Sequence, residues 1–282
     1  MTPIALSIAG SDPSAGAGIQ ADLKTFSALG VYGATVITAL TAQNTRGVSA
    51  IEPVRAAMVS AQMDAVFADL KVDAVKIGML GQATIIEAVA AGLERHRQKT
   101  VVLDPVLVAS ASATALLAPD AVEQLRQVLI PRALILTPNL PEAAALLGET
   151  FAETEAQVRG QAERLLGLGA QAVLIKGGHA GGAESVDIYV DAHTQWRLPA
   201  PRILTNNTHG TGCTLSAAIA AGLAKGLALA EAIATAKDYV TAAIAAADRL
   251  SVGSGRGPLH HFQAWWLSTL DKAANGSAPR GS

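Results

Sequence analysis

Six short runs rich in valine, isoleucine and leucine recur along the chain: IALSIA (4–9), ATVITAL (34–40), AVKIG (74–78), TVVLD (100–104), ALILT (133–137) and AVLIKG (172–177). None alternates polar with apolar residues, so each predicts a strand buried on both faces, as in a parallel sheet covered by helices. The segments between them carry helical periodicity. In SAGAGIQADLKTFSALG (14–30), Ile19, Leu23, Phe26 and Leu29 share one helical face, and Gly30 can supply the stop. Strand and helix in alternation predict an α/β fold with a mostly parallel sheet and helices on both faces. The segment ESVDIYVDAHTQWRLPAPRI (184–203) does alternate polar and apolar residues, which predicts an antiparallel hairpin at the sheet edge.

Composition removes several function classes. The 282 residues are 50% hydrophobic, enough for a large core, and 21 Lys plus Arg stand against 23 Asp plus Glu. That balance offers no positive excess to neutralise a phosphate backbone, so no nucleic-acid partner is expected. One cysteine makes neither an internal disulfide nor a thiolate metal cage, which suits a reducing cytosol. The start, MTPIALSIAGSDPS, has no basic region and breaks at Asp12 and Pro13, so it reads as a first strand and not as a secretion signal. The apolar segment 213–224 stops at Lys225, well short of the roughly 20 residues of a membrane span. With no linker or fixed-period repeat, one domain over 1–270 is expected, followed by a disordered tail over 271–282.

In an open parallel sheet ligands bind beyond the carboxyl ends of the strands, so the residues just after each strand carry the chemistry. GAGIQA (16–21) fits a dinucleotide-binding pattern formally, but SDPSA separates it from its strand. The acidic residue expected about 20 positions on is missing too, so a nicotinamide enzyme is disfavoured. Asp22, at the border of the apolar stripe, either reaches a pocket over the sheet or faces solvent. Gln43 offers a donor and an acceptor to one edge of a heterocycle, or bonds nearby backbone. Asp104 before Pro105 either holds magnesium or caps a turn. VASASATALLAP (108–119) is either a flap or a plain loop. Asn139 and Glu142 have the spacing of a capping box, or else stand near nucleotide phosphate and a magnesium-bound water. Lys176, in KGGH, can meet a phosphate, unless the segment is only a turn. NTHGTGCTLSAAIAAGLAKG (207–226) puts two glycines, Thr211 and Cys213 at the start of a long helix, where free N–H groups and the positive dipole end make an anion hole. The same dipole is expected to lower the Cys213 thiol pKa, unless that cysteine is simply a small buried hydrophobe.

Taken in order, IAGSDPSAGAGIQADLKTFSALG, VITALTAQNTRGV, KIGML, VVLDPV, LTPNLPEAAALL, KGGH, APRI, NTHGTGCTLSAAIA and GPLHHF resemble the hydroxymethylpyrimidine and phosphomethylpyrimidine kinases of thiamine biosynthesis, within the ribokinase-like superfamily. The resemblance runs almost end to end. It implies a three-layer α/β/α ribokinase-like fold and ATP- and Mg2+-dependent phosphorylation of a pyrimidine hydroxymethyl group, then of the monophosphate to the pyrophosphate. It also implies a homodimer, while the cytoplasmic location expected for the chain rests on its cysteine usage. Carried onto this chain, Gln43 would bond the pyrimidine edge, and Gly10, Asp22, Met79 and Val106 would line its pocket. Gly210, Thr211 and Gly212 would form the anion hole, with Cys213 assisting removal of the hydroxymethyl proton. Lys176, Asn139, Glu142 and Thr211 would meet ATP, and Asp104 with Glu142 would organise magnesium. The family's first loop commonly has two glycines after DPS, whereas Ala15 here precedes Gly16. The rivals are a pyridoxal kinase of the same superfamily and a pyrimidine-binding module without catalysis.

Overall fold

The computed structural model describes residues 1–107, 116–179 and 181–266. In chain order the elements are β1 (Ile4–Ser11), α1 (Gly18–Ala28), β2 (Tyr32–Asn44), β3 (Gly47–Pro53), α2 (Ala56–Asp69), β4 (Ala74–Ile77), α3 (Ala83–Arg95), β5 (Val101–Leu103), α4 (Pro119–Gln124), β6 (Ile135–Leu136), α5 (Leu140–Leu147), α6 (Glu155–Leu166), β7 (Ala172–Ile175), β8 (Glu184–Asp191), β9 (Gln195–Pro201), α7 (Thr211–Ala224) and α8 (Leu229–Ala245). The expected tail over 271–282, and residues 108–115 of the expected flap, lie outside the described residues.

All six apolar runs become strands of one nine-stranded sheet of order β3-β2-β1-β4-β5-β6-β7-β8-β9. The strands from β2 to β7 in that order run parallel, and β8 and β9 form the expected antiparallel hairpin at one edge. At the other edge β3 pairs antiparallel with β2, a strand that the polar, weakly patterned sequence GVSAIEP did not announce. From β1 the chain builds first towards β2 and then towards β4. The order therefore reverses at β1/β4, and the loops on either side part to leave a crevice there.

The sheet's two faces bury different side chains. Leu6, Ile8, Val75, Ile77, Val101, Leu103 and Val173 face one core with α2 to α6, among Met63, Ile85, Leu93, Leu146 and Leu165. The opposite face presents smaller groups, Ala5, Ala74 and Val102, against Phe26 of α1 and the alanine-rich α7. Ten residues of α7 are buried, because it lies between the sheet, α1 and α8 with no solvent face. Alanine and Gly222, the latter tight against Ala232 of α8, let this helix approach closely. Close packing of α7 sets its first turn at the carboxyl edge of β1, β4 and β5. Among the described residues no helix is long and apolar enough to cross a membrane.

Candidate active site

A cavity of about 390 Å³ runs along the carboxyl edge of the sheet. At the β2 end it is lined by Thr41 and Gln43, with Gly10 near the end of β1, Asp12 just beyond it and Met79 beyond β4. Asp104 and Val106 follow β5, Asn139 and Glu142 follow β6, and Lys176 follows β7. Asp187, Arg202, Lys237 and Thr241 close the far end. Gly210 to Cys213 reach the cavity from α7.

Glycine shapes the start of α7. Gly210 is the N-cap at φ 81, and a side chain there would run into the Gly16 carbonyl. A Cβ on Gly212 would stand 3.0 Å from the Lys176 ammonium, closing the space in front of the helix. The first N–H groups of a helix have no partner within it; the Thr211 N–H turns back to the Thr208 carbonyl at 3.3 Å, so those of Gly212 and Cys213, with the positive dipole end, are offered to an anion.

The loop before α1 is tied to this turn. Asp12 accepts the Ser14 N–H (2.9 Å), the Ser14 hydroxyl (2.7 Å) and the Ala17 N–H (2.8 Å), and its Oδ2 lies 2.8 Å from His209 Nε2. Burial works against the Asp12 charge, but His209, Ser14 and Ala17 together hold its carboxyl below the usual range. Ala15 sits at φ 61, in the left-handed region. A Cβ there costs about 1 to 2 kcal/mol, a strain that the glycine expected from the resemblance would not carry.

Gln43 is poised for a ligand. Its Nε2 lies 3.3 Å from His209 Nε2, whose proton is directed to Asp12 at shorter range. Its Oε1 is 3.2 Å from the Thr41 hydroxyl, which gives its one hydrogen to the Ser11 carbonyl at 2.9 Å. Both ends of the amide thus remain available, and neither bonds backbone.

The charged centre lies between the two ends of the cavity. Lys176 Nζ is 2.6 Å from Asp104 Oδ1 and 3.8 Å from Glu142 Oε2. Burial opposes its charge, yet Asp104 and Glu142 raise its pKa above the ordinary lysine value. Glu142 completes a capping box with Asn139, its carboxylate accepting the Asn139 N–H while the Asn139 side chain accepts its own N–H, both at 2.8 Å. The local and the cavity roles of this pair therefore coexist. Burial, partly countered by Lys176, pushes the Glu142 carboxyl up to about 7.

Two expectations need correction. Asp22 is fully buried and does not line the cavity: it lies under the floor, accepting the Ser7 hydroxyl at 2.6 Å and both bonds of Lys76 at 2.8 and 2.9 Å. Lys76 reaches up from β4, on the small-residue face against α7, and does line the cavity. Burial disfavours the Lys76 charge, but the adjacent Asp22 outweighs it and keeps the ammonium well above its ordinary pKa. The Cys213 thiol moves opposite to the dipole argument, because burial pushes it up to about 11 despite Lys76 and a bond from the Gly18 N–H. At neutral pH it is a thiol. Of the other expected residues, Gln43, Gly10, Met79, Val106, Asp104, Asn139, Glu142, Lys176, Gly210, Thr211 and Gly212 all border the one cavity. Asp12, His209 and Lys76 were not singled out by sequence reasoning.

The phosphomethylpyrimidine kinase family matches residues 12–260. The chain belongs to this family. It is 63% identical over 266 residues to the hydroxymethylpyrimidine/phosphomethylpyrimidine kinase of Rhizobium meliloti, covering 94% of this chain and 99% of that one. Among solved structures it resembles Clostridium difficile phosphomethylpyrimidine kinase (TM-score 0.76, 44% identity, 86% of this chain and 99% of that one). It also resembles Bacillus subtilis pyridoxal kinase, solved as an ADP complex (TM-score 0.85, 38% identity, 94% and 99%). The chain thus shares the ribokinase-like architecture of these kinases.

Proposed function

We propose that this protein uses ATP to phosphorylate 4-amino-5-hydroxymethyl-2-methylpyrimidine, and then the resulting monophosphate to the pyrophosphate, in thiamine biosynthesis. The observation that carries the reading is the glycine-rich start of α7 with Lys176 and Asp104 at its mouth, set between Gln43 at one end of the cavity and Asp187 and Lys237 at the other. The pyrimidine would occupy the Gln43 end, its amino group and ring nitrogen answering the free amide, between Gly10, Met79 and Val106. ATP would lie towards β8, β9 and α8.

In the transfer, a substrate oxygen bonds the γ-phosphorus and the bond to the departing ADP breaks. Charge spread over the equatorial oxygens is met by the N–H groups of Gly212 and Cys213 and by Lys176, which are already in place before reaction. Little base strength is needed in so loose a transition state. In the second turnover the nucleophile is a phosphate oxygen that has already lost its proton. A neutral Cys213 thiol is compatible with both, so we assign Cys213 to the lining of the anion hole, with the hydroxymethyl proton passing to an oxygen of the transferred group.

Asp104 and Glu142 are hard oxygen donors, suited to Mg2+ held jointly with phosphates; among the described residues no three metal-binding side chains cluster to cage an ion alone. Asn139 and Thr211 are within the same stretch of cavity and would contact nucleotide or metal-bound water. When bound, the ion would neutralise phosphate charge. We further take residues 1–270 as one kinase domain, supported by the continuous sheet, working in the cytoplasm where ATP is supplied. A homodimer is what the resemblance to the family implies.

Substitution of Gln43 by alanine tests the substrate assignment. Losing one amide that bonds the heterocycle is expected to raise KM for the pyrimidine about tenfold with little change in kcat, as for a lost hydrogen bond of about 1 to 1.5 kcal/mol. Steady-state kinetics reads this directly, and an unchanged KM would remove the pyrimidine from that end of the cavity.

A further inference from the structure

The Gln43 amide stands between two polar neighbours, and counting hydrogens shows that neither suits the end it faces. On one side is His209, anchored ahead of α7 by its own N–H on the Gly257 carbonyl at 3.0 Å. Its Nε2 lies 2.8 Å from Asp12 Oδ2. That carboxylate is held below its usual range despite burial, so it is ionised and can only accept, and His209 Nε2 carries the hydrogen between them. Gln43 Nε2, 3.3 Å away, therefore meets an N–H with an N–H. On the other side is Thr41. Its single hydroxyl hydrogen goes to the Ser11 carbonyl at 2.9 Å, so Gln43 Oε1, at 3.2 Å, meets a lone pair with a lone pair.

A half-turn of the amide plane mends both contacts at once. Oε1 then accepts from the His209 N–H, shared with Asp12, and the NH2 group donates to Thr41 Oγ1. No other group has to move, and one lone pair and one N–H of the amide remain for a ligand. The two arguments are independent, one starting at Asp12 and the other at Ser11, and they select the same polarity. The surroundings hold it in place. Asp12 is buried and fixed by Ser14 and Ala17, and a side chain on Gly16 would run into the His209 ring, so the loop packs directly against it.

Polarity decides which way round a pyrimidine lies. Along its reading edge the 4-amino group stands between N3 and the carbon that bears the hydroxymethyl group. An amide with its oxygen on the His209 side takes the amino group there and the ring nitrogen on the Thr41 side. The hydroxymethyl group then continues past His209 towards Gly210 to Cys213, the next residues of the chain, which line the same cavity. The opposite polarity puts the amino group on the Thr41 side and turns the hydroxymethyl group away from α7.

We propose that the Asp12–His209 pair orients the substrate: by holding a hydrogen against Gln43 it sets the polarity of that amide, and so admits the heterocycle with its hydroxymethyl group towards the anion hole. His209 is a positioning residue acting through Gln43. The inference rests on the proposed function, which seats the pyrimidine at Gln43.

The test compares two ligands by titration of the full-length protein without ATP. One is the aminopyrimidine; the other is its 4-oxo counterpart, whose N3–H and carbonyl invert donor and acceptor along the edge. The wild type is expected to bind the amino form at least about 100-fold tighter, because the inverted edge leaves polar groups of the site unpaired. His209→Leu removes the hydrogen that sets the polarity, lets the amide turn, and should narrow that ratio about tenfold. His209→Gln, which keeps an N–H for Asp12, should retain it. A merely structural role would weaken both ligands alike. An unchanged ratio in His209→Leu, or equal narrowing in the Leu and Gln variants, would overturn the proposal. A second measurement needs no variant. In the wild type bound to the aminopyrimidine, NMR cross-relaxation from the Gln43 NH2 group should reach the Thr41 methyl group, and contacts to the His209 ring hydrogens in its place would overturn the proposal. If the wild type binds neither compound, the substrate reading fails and this inference falls with it. Binding of the amino form with an unaltered ratio in His209→Leu refutes the inference alone.

Discussion

Lys176→Met is expected to lower kcat about 10² to 10³-fold, the scale seen when one donor aimed at developing transition-state charge is removed. The lysine is the cation at the mouth of the anion hole, and methionine fills its volume without supplying charge. Two carboxylates also lose their shared partner. Asp104 is buried and paired to Lys176 at 2.6 Å, and Glu142, already pushed up to about 7, stands 3.8 Å away. With the ammonium gone, Glu142 should hold its proton to higher pH, so the variant's residual activity is expected to rise with pH over a range where the wild type is flat. Saturating kinetics at several pH values, with Tm recorded in parallel, checks both effects. A kcat within about threefold of wild type would mean that the lysine only ties strands together.

The second large effect concerns stability. Asp22→Ala leaves the Lys76 ammonium fully buried with no countercharge, and breaking such a pair from one side costs about 3 to 5 kcal/mol. Replacing both partners by apolar residues, as in Asp22→Leu with Lys76→Met, should return most of that loss, because no buried charge remains. Lys76 is held above its unfolded pKa of 10.5, so its contribution is complete at neutral pH and is lost only as pH rises through the still higher folded value. Denaturant unfolding at neutral pH measures the cycle. A single variant as stable as wild type would show that Lys76 loses its proton or reaches water, and the structural account of this pair would fail.

What the sequence disclosed and what it withheld follow from range. The central strands were legible because burial on both faces leaves an unbroken apolar run, and the start of α7 because Gly-Thr-Gly-Cys is one contiguous stretch. Both are local signals. β3 escaped notice because GVSAIEP lies at a sheet edge, half exposed, and carries no strong pattern. Lys76 inside AVKIG gives no local sign of its role, since its partner Asp22 is 54 residues away in sequence. Asp12 and His209 are 197 residues apart, and only the fold unites them. The direction of the Cys213 shift was misread for a related reason: the helix dipole is visible in the sequence, whereas burial beneath α1 and over Lys76 is not. The capping box at Asn139 and Glu142 was legible, but its place facing Lys176 depends on β6 and β7 lying side by side.

The central claim is tested most directly by ADP release from the purified protein with Mg2+ and ATP, offering hydroxymethylpyrimidine, its monophosphate and pyridoxal separately. Turnover of the first two, with pyridoxal the poorest of the three, is the predicted result. Preference for pyridoxal would move the same site to vitamin B6 salvage. Absence of turnover on all three, with the pyrimidine still bound, would contradict the account and leave a binding protein in a kinase fold.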